Sequence, residues 1–453
     1  MIIKKGSEIK DFTNGNLTSH LIKFAIPVLI SHLMMVLLNT VDMIVVGQRL
    51  GEAGTSAVSI GGSVAMFLNA FIGGFASAAQ VIIAIMIGSK QKERISRFVS
   101  TVCGFIFVAA IVSMCIMLPL TDVMLRLLNT PPEAYQGAFE YSRICLYGII
   151  PIYAYHIISA IVRGMGDSKD PLVFITIACG LNIFLDVAFV LWLDMGVGGA
   201  ALATVIAQLV SVIFSTTMII VKRERFELSI KPKHFLIWEK NELSGFIKLA
   251  IPMALNNSAV QIAIMVVNAM TNDYGVSVSA FSGIRANLLT TVDLILGSVA
   301  TAGAMIIGQN IAAKKLKRVD STLLRVGIIT MSCAALLSLV FLAFPMELFS
   351  IFTKEAEVLK IVKPHLPILI LSFVGAGLRP ISRSLMDGSG NRKINLIIAV
   401  LSIALRIGLA VLFGMALKWG YMGMWFGITL AEVSPFLVGV IFYFSGKWKT
   451  SKV

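Results

Sequence analysis

The stretch DPLVFITIACGLNIFLDVAFVLWLDMGVGGAALATVIAQ, from Asp170 to Gln208, decides the class of fold. It predicts an apolar helix, a short glycine-containing turn and a second apolar helix, each long enough to cross a bilayer. Asn182 and Asp186 interrupt the first helix, and because they are four residues apart they lie on one face, one turn apart. A carboxylate in so apolar a helix costs about 2.5–3.5 kcal/mol on insertion. Such residues commonly face a cavity or an ion path, and a structural hydrogen bond between helices is the alternative.

The composition of the whole chain is that of an integral membrane protein. Of its 453 residues, 57% are hydrophobic and only 14% are charged, whereas soluble proteins carry about 25% charged residues. The formal net charge is +14, but the basic residues are concentrated in particular loops. This distribution indicates membrane topology and contact with anionic lipid head groups rather than with nucleic acid.

Apolar runs predict an all-α integral membrane fold with twelve transmembrane helices. The predicted spans begin near His20, Thr55, Arg97, Gly137, Asp170, Val197, Gly245, Val278, Ser321, Ile361, Lys393 and Gly420. Basic clusters follow every second span, and the opposite loops contain acidic residues and few basic ones. By the positive-inside rule, both termini and the central linker are expected to be cytoplasmic.

The two halves of the sequence repeat with an offset of about 224 residues. LIKFAIPVLI at Leu21 matches GFIKLAIPMAL at Gly245, and RGMGDSK at Arg163 matches DGSGNRK at Asp387. The repeat predicts an N-terminal six-helix lobe (1–221), a cytoplasmic linker (222–243) and a C-terminal six-helix lobe (244–453). Because six spans return the chain to the same side, the repeats are predicted to be parallel around a central cavity, as in alternating-access transporters.

Three stretches resemble the multidrug and toxic compound extrusion (MATE) transporters: AIP…NTVDMIVVGQRLG in span 1, RGMGDSKDPL…LNIFLDVAFVLWLDMGVGGAALAT in spans 4–6, and the AIP restart of the second half. The likeness is to the DinF-like prokaryotic branch. The proposed cation site of that branch falls here on Asp42, Asn182, Asp186 and Thr204. The other bacterial branch is associated with a glutamate in span 7, and span 7 of this chain contains no acidic residue.

Depth counting agrees with the site that the resemblance implies. Asp42 lies about six residues before the outer end of span 1, and Asp186 about seven before the outer end of span 5. Thr204 lies about seven residues after the outer start of span 6, so all three are roughly 10 Å below the outer face at 1.5 Å per residue. With the Asn182 amide they offer hard oxygen ligands for Na⁺, and the two acids would also bind a proton. Mutual hydrogen bonds that only hold the lobe together are the alternative.

The second lobe departs from the first at the corresponding positions. Arg406 stands where the repeat has Asn182, and Ala410 stands where it has Asp186. Depth counting puts Arg406 and Glu432 near mid-membrane, where they are expected to neutralise each other.

Other polar residues within the spans have open roles. Asp293 or Glu432 could instead face the cavity and attract cationic substrates, and Arg285 and His156 are further candidate cavity residues. A proton role for His156 is weighed against a packed, neutral histidine. Pro27 removes a backbone hydrogen bond from span 1, so the kink there is either a moving part or a static bend.

No phosphate-binding loop, nucleophile–base set or metal-ligand cluster is present in the sequence, so we expect neither an enzyme nor a cofactor. The expected function is secondary active multidrug efflux: export of organic, cationic amphipathic compounds in exchange for Na⁺ or H⁺. The protein is expected to be a monomer in the inner (plasma) membrane, with small organic molecules and the lipid bilayer as partners. A lipid-linked oligosaccharide flippase of the same superfamily and a non-transporting membrane protein are the alternatives.

Overall fold

The computed structural model describes residues 9–128, 130–224, 226 and 239–449. In this part of the chain there is no β-strand, eleven helices are long and apolar enough to cross a membrane, and a bent helix pair supplies a twelfth span. The predicted all-α membrane fold is therefore confirmed, and each span begins within about five residues of its predicted start.

The helices follow one another with short connections. Spans 1–6 are Leu17–Gly51, Ala53–Gly88, Glu93–Leu127, the pair Pro132–Tyr147 with Ile149–Gly164, Lys169–Trp192 and Gly196–Val221. Spans 7–12 are Lys240–Asn272, Ser277–Ala312, Leu316–Ala343, Val362–Gly388, Arg392–Ala416 and Gly420–Phe444. Two short helices, Pro345–Ser350 and Ala356–Lys360, lie between spans 9 and 10.

The backbone repeats with the offset that the sequence predicts. Apart from Gly15 and Gly446, the described residues with a left-handed φ angle form five pairs that are 224 residues apart: Gly51 and Gly275, Lys90 and Lys314, Gly166 and Gly390, Asp194 and Lys418, and Gly196 and Gly420. Such φ angles are sterically unfavourable for residues other than glycine. Their recurrence at Lys90 and Lys314 therefore shows that the turn geometry is shared even where no glycine supplies it.

The contacts divide the chain into two compact units. The first unit comprises Met1–Asp11 and Ile26–Ala250, and the second comprises Phe12–Ala25 and Ile251–Val453. Residues 225 and 227–238 of the predicted linker lie outside the described residues. The predicted lobe boundaries therefore stay a prediction.

The first turns of spans 1 and 7 each belong to the unit formed by the other half of the sequence. In the second unit, the Phe12 backbone N–H donates to Gln309 Oε1 at 2.7 Å. In the first unit, Arg94 Nη2 pairs with Glu242 Oε1 at 2.9 Å. The helix of span 1 thus passes from one unit to the other immediately before Pro27.

Small residues bring spans 4, 5 and 6 of the first unit close together. Span 4 bends by 55° between its two helices, at Gly148. A Cβ atom at Gly148 would lie 2.3 Å from Val205 Cγ2 of span 6, so only glycine permits this approach. Span 6 is also tied to span 5, because Ser211 Oγ donates to the Phe174 carbonyl at 2.9 Å. These contacts hold spans 4, 5 and 6 side by side.

Candidate functional site

Four helices of the first unit converge on the carboxylate of Asp42, which is only 1% exposed. Tyr141 Oη of span 4 donates to Asp42 Oδ2 at 2.9 Å, and Thr204 Oγ1 of span 6 donates to the same oxygen at 3.0 Å. Asn182 Nδ2 of span 5 donates to Asp42 Oδ1 at 3.3 Å and to Thr204 Oγ1 at 3.2 Å. The structure thus brings Asp42, Asn182 and Thr204 of the predicted set into one hydrogen-bonded cluster.

Asp186 completes the predicted set and lies beside Asp42. Its side chain is fully buried, and neither of its carboxylate oxygens has a donor among the described residues. The Asn182 Oδ1 atom is buried without a donor as well. An ionised carboxylate only accepts hydrogen bonds, so two that face each other repel unless a proton or a cation lies between them. The site therefore offers three unused oxygen acceptors beside two buried acids.

The helix of span 5 changes character directly after Asp186. The α-helix Lys169–Asp186 continues as a π-helical turn, Val187–Trp192. Such turns are frequent at functional sites. However, the second unit has the same feature at Leu412–Ala416. The wide turn is therefore part of the shared backbone, whereas the acid next to it is specific to the first unit.

The second unit has an apolar cluster where the first has the acids. Ala410 and Ile428 follow Asp186 and Thr204 by 224 residues, and Val267 follows Asp42 by 225. Val267, Ala410, Met424 and Ile428 are buried together in one hydrophobic cluster. These side chains carry no oxygen atoms, so they offer no ligands for a hard cation such as Na⁺.

The carboxylates that were considered as substrate contacts are paired with arginines. Arg406 Nη1 donates to Glu432 Oε1 at 3.4 Å, which confirms the predicted neutralisation across spans 11 and 12. Asp293 forms an ion pair with Arg379. A role for either acid in attracting cationic substrates stays a prediction.

The remaining predicted residues lie apart from the Asp42 cluster. His156 is half-buried in the second helix of span 4, with its ring 5.6 Å from that of Tyr155. Arg285 is buried in the second unit and donates to His365. The Pro27 carbonyl accepts a hydrogen bond from Ser31 Oγ at 2.8 Å, within the helix of span 1. The predicted roles of His156, Arg285 and Pro27 stay predictions.

Tyr141 is the site residue that the sequence analysis missed. It lies nine residues into the helix Pro132–Tyr147, at about 14 Å from that helix start. The resemblance selected Asp42, Asp186 and Thr204, and depth counting was applied only to them. A count of every polar residue in each span would have included Tyr141. Its contact with Asp42 depends on which face of span 4 turns inward, and spacing alone does not give that.

Twelve spans in two repeated halves, with a buried set of acidic acceptors in one of them, are the architecture of a multi-pass membrane transporter. The MatE family model matches residues 27–188 and 252–412, and the chain belongs to this family of multidrug efflux transporters.

Relatives match the chain over nearly its whole length. A probable multidrug resistance protein of Bacillus subtilis, YpnP, is 27% identical over 98% of this chain and 98% of its own. The multidrug export protein MepA of Staphylococcus aureus is 23% identical over 94% of each chain. A crystal structure of a MATE protein in the bent conformation has a TM-score of 0.89 at 22% identity, and the match covers 97% of each chain. The structural likeness supports the fold.

Proposed function

We propose that this protein is a cation-coupled antiporter, in which Na⁺ or H⁺ binds at Asp42 and Asp186 while an organic, cationic amphipathic compound is exported. One observation carries the proposal: two fully buried carboxylates face each other, and neither oxygen of Asp186 has a donor among the described residues. Buried acids in a membrane span are costly, so they are retained where they handle ions or protons.

The ligand atoms suit a small hard cation. Carboxylate, amide and hydroxyl oxygens favour such cations over transition metals. No group of three or more His, Cys, Asp or Glu side chains that could hold a metal was found among the described residues. The three unused acceptor atoms at Asp186 and Asn182 would coordinate Na⁺, and a proton shared by the two acids would satisfy the same electrostatic need.

Loading of the site gives a physical route to coupling. Without a cation, the charges of Asp42 on span 1 and Asp186 on span 5 repel each other in a buried site. With the cation bound, both acids are attracted to one centre, and span 1 is drawn toward spans 5 and 6. An ion that binds one arrangement of these helices more tightly than another shifts the balance between the arrangements. Pro27, which weakens the helix of span 1 about four turns away, allows that span to bend.

The orientation and the substrate class rest on charge and on the relatives. Basic residues concentrate in alternate loops, which supports cytoplasmic termini in the plasma membrane, and we propose a monomer. The names of YpnP and MepA describe multidrug resistance and multidrug export. These names support organic export for this chain as well.

Transport in proteoliposomes tests the proposal. Efflux of a fluorescent organic cation such as ethidium should be driven by an imposed Na⁺ or proton gradient, and Asp42→Asn should abolish it while the variant still inserts and folds. Asp194→Asn is the matched control, because Asp194 is an exposed acid that pairs with Arg49 outside this site. Wild-type ion-driven transport by Asp42→Asn would overturn the proposal.

A further inference from the structure

Arg285 lies in the core of the second unit without a carboxylate partner. It is 6% exposed, on span 8. Its Nε donates to His365 Nε2 at 3.2 Å, and its Nη2 donates to Ser372 Oγ at 3.4 Å and to Thr429 Oγ1 at 3.2 Å. All three partners are fully buried and neutral when His365 accepts this bond. The guanidinium is therefore held by neutral hydrogen-bond partners, and no carboxylate forms an ion pair with it.

The acids that could balance Arg285 are committed to other arginines. Among the described residues, Glu432 pairs with Arg406, and Asp293 pairs with Arg379. Asp387, at the other end of span 10, pairs with Arg383. Glu432 is near enough to attract Arg285 as well as Arg406. Arg285, Arg379 and Arg406 thus share two acids, Asp293 and Glu432, and this leaves an excess of one positive charge, which is costly in a membrane protein.

The groups around Arg285 present donors that have no acceptors. His365 Nε2 accepts from Arg285, so a neutral His365 carries its proton on Nδ1, and this buried atom has no partner among the described residues. The Trp425 ring lies 4.8 Å from that of His365, and its buried Nε1–H, which can only donate, has no partner either. The hydrogen bonds of the Arg285 guanidinium come from Nε and Nη2. The cluster thus combines an unbalanced positive charge with unused donors.

The first unit shows that the fold does not require this polar cluster. At the positions 224 residues earlier, Arg285 and His365 correspond to Gly61 and Tyr141, and a Cβ atom at Gly61 would lie 3.1 Å from the Tyr141 ring. The remaining members, Ser372, Trp425 and Thr429, correspond to Gly148, Ala201 and Val205. The Ser372–Thr429 hydrogen bond thus replaces the close contact between Gly148 and Val205. The repeat makes the same helix contacts with mostly small or apolar residues.

We propose that the Arg285 cluster (Arg285, His365, Ser372, Trp425 and Thr429) binds a monovalent anion, which is either chloride or the carboxylate of a small organic compound. Such an anion would balance the guanidinium charge and accept hydrogen bonds from the guanidinium and from Trp425 Nε1. The site is independent of cation coupling in the first unit. It contains none of the residues to which that function is assigned.

Thermal unfolding of the purified full chain tests the proposal. Chloride, bromide or acetate is added at constant Na⁺ to a sodium HEPES buffer that contains no other small anion. The wild-type Tm should rise and saturate with at least one of these anions, because a ligand that binds only the folded state stabilises it. A response to chloride and bromide alone identifies an inorganic anion as the occupant, and a response to acetate alone identifies a carboxylate.

Two variants and one control assign the response to the cluster. Arg285→Gln should show no saturable response. Trp425→Phe keeps the ring and loses one donor, so the half-saturating anion concentration should rise about tenfold. Trp419→Phe, which changes an exposed tryptophan of the same unit, should respond like the wild type. A wild-type protein with no saturable anion response would overturn the proposal. An unchanged half-saturating concentration in Trp425→Phe would also overturn it. If Arg285→Gln does not fold, Trp425→Phe is the deciding variant.

Discussion

Substitution of Asp186 by asparagine tests whether ion coupling is confined to the first unit. The change keeps the size of the side chain and one carbonyl oxygen, but it removes the negative charge that faces Asp42. Glu432→Gln is the matched substitution in the second unit, where the carboxylate already pairs with Arg406 at 3.4 Å. The two variants therefore each remove one buried acid, one from a site with unused acceptors and one from a formed ion pair.

The expected loss of affinity follows from Coulomb's law. A cation about 4 Å from a carboxylate gains about 4 kcal/mol at an effective dielectric constant of about 20. Asp186→Asn should therefore weaken Na⁺ binding by about a thousandfold, since each 1.4 kcal/mol is about tenfold. Glu432→Gln should leave Na⁺ affinity almost unchanged. It should instead lower stability by about 3–5 kcal/mol, because Arg406 loses its partner.

Calorimetric titration of Na⁺ at constant anion concentration measures both affinities, at pH 8 and at stepwise lower pH. Protons compete for the same carboxylates, so the apparent Na⁺ affinity of the wild type should fall as the pH falls. Thermal unfolding without Na⁺ is the folding control. At pH 8, Asp186→Asn should unfold at a higher temperature than the wild type, because the variant lacks a buried carboxylate that has no donor.

The opposite pattern would refute the reasoning. If Glu432→Gln removed Na⁺ binding while Asp186→Asn kept it, the ion site would lie in the second unit. The interpretation of the repeat, in which Ala410 and Arg406 mark a lobe without an ion site, would then be wrong.

Two further predictions concern residues next to the site. Tyr141→Phe removes a donor that stabilises the charged form of Asp42. Because such a bond contributes about 1.5–3 kcal/mol, the pH at which protons displace Na⁺ in the same titration should rise by about one to two units. An unchanged midpoint would mean that this hydrogen bond is only structural. Pro27→Ala should restore a backbone hydrogen bond in span 1 and slow ion-driven efflux several-fold, while substrate binding by the purified protein is kept; turnover equal to that of the wild type would leave only a static kink.

The fold could be predicted from the sequence because its main determinants are local or repeated. Long apolar runs set the number of spans, and the offset between the Arg163 and Asp387 motifs sets the repeat that the backbone also follows. The unit to which Phe12–Ala25 belongs could not be predicted. That assignment depends on bonds such as the one from Phe12 to Gln309, between residues nearly three hundred positions apart.

The candidate site was predictable in depth but not in orientation. Residue counting along each span placed Asp42, Asp186 and Thr204 at one height, and this was enough because the family motif had already selected them. For Tyr141 and Arg285 height is not enough, since the rotation of their helices decides what they face. Arg285 illustrates the difference: its sequence neighbourhood does not show that its partners come from spans 10 and 12, or that its charge is left unbalanced.

The two units have diverged in opposite electrostatic directions on one repeated backbone. In the first unit, the acceptors of Asp186 and Asn182 lack donors beside two acids, and in the second, the donors of His365 and Trp425 lack acceptors beside an arginine without an acid. At the positions that correspond to the polar cluster of one unit, the other unit has mainly apolar or small residues. Neither cluster is therefore needed to form the fold, and each lowers stability until a ligand of opposite charge neutralises it. Because the clusters share no residue, stabilisation by a cation and stabilisation by an anion should be separable and additive.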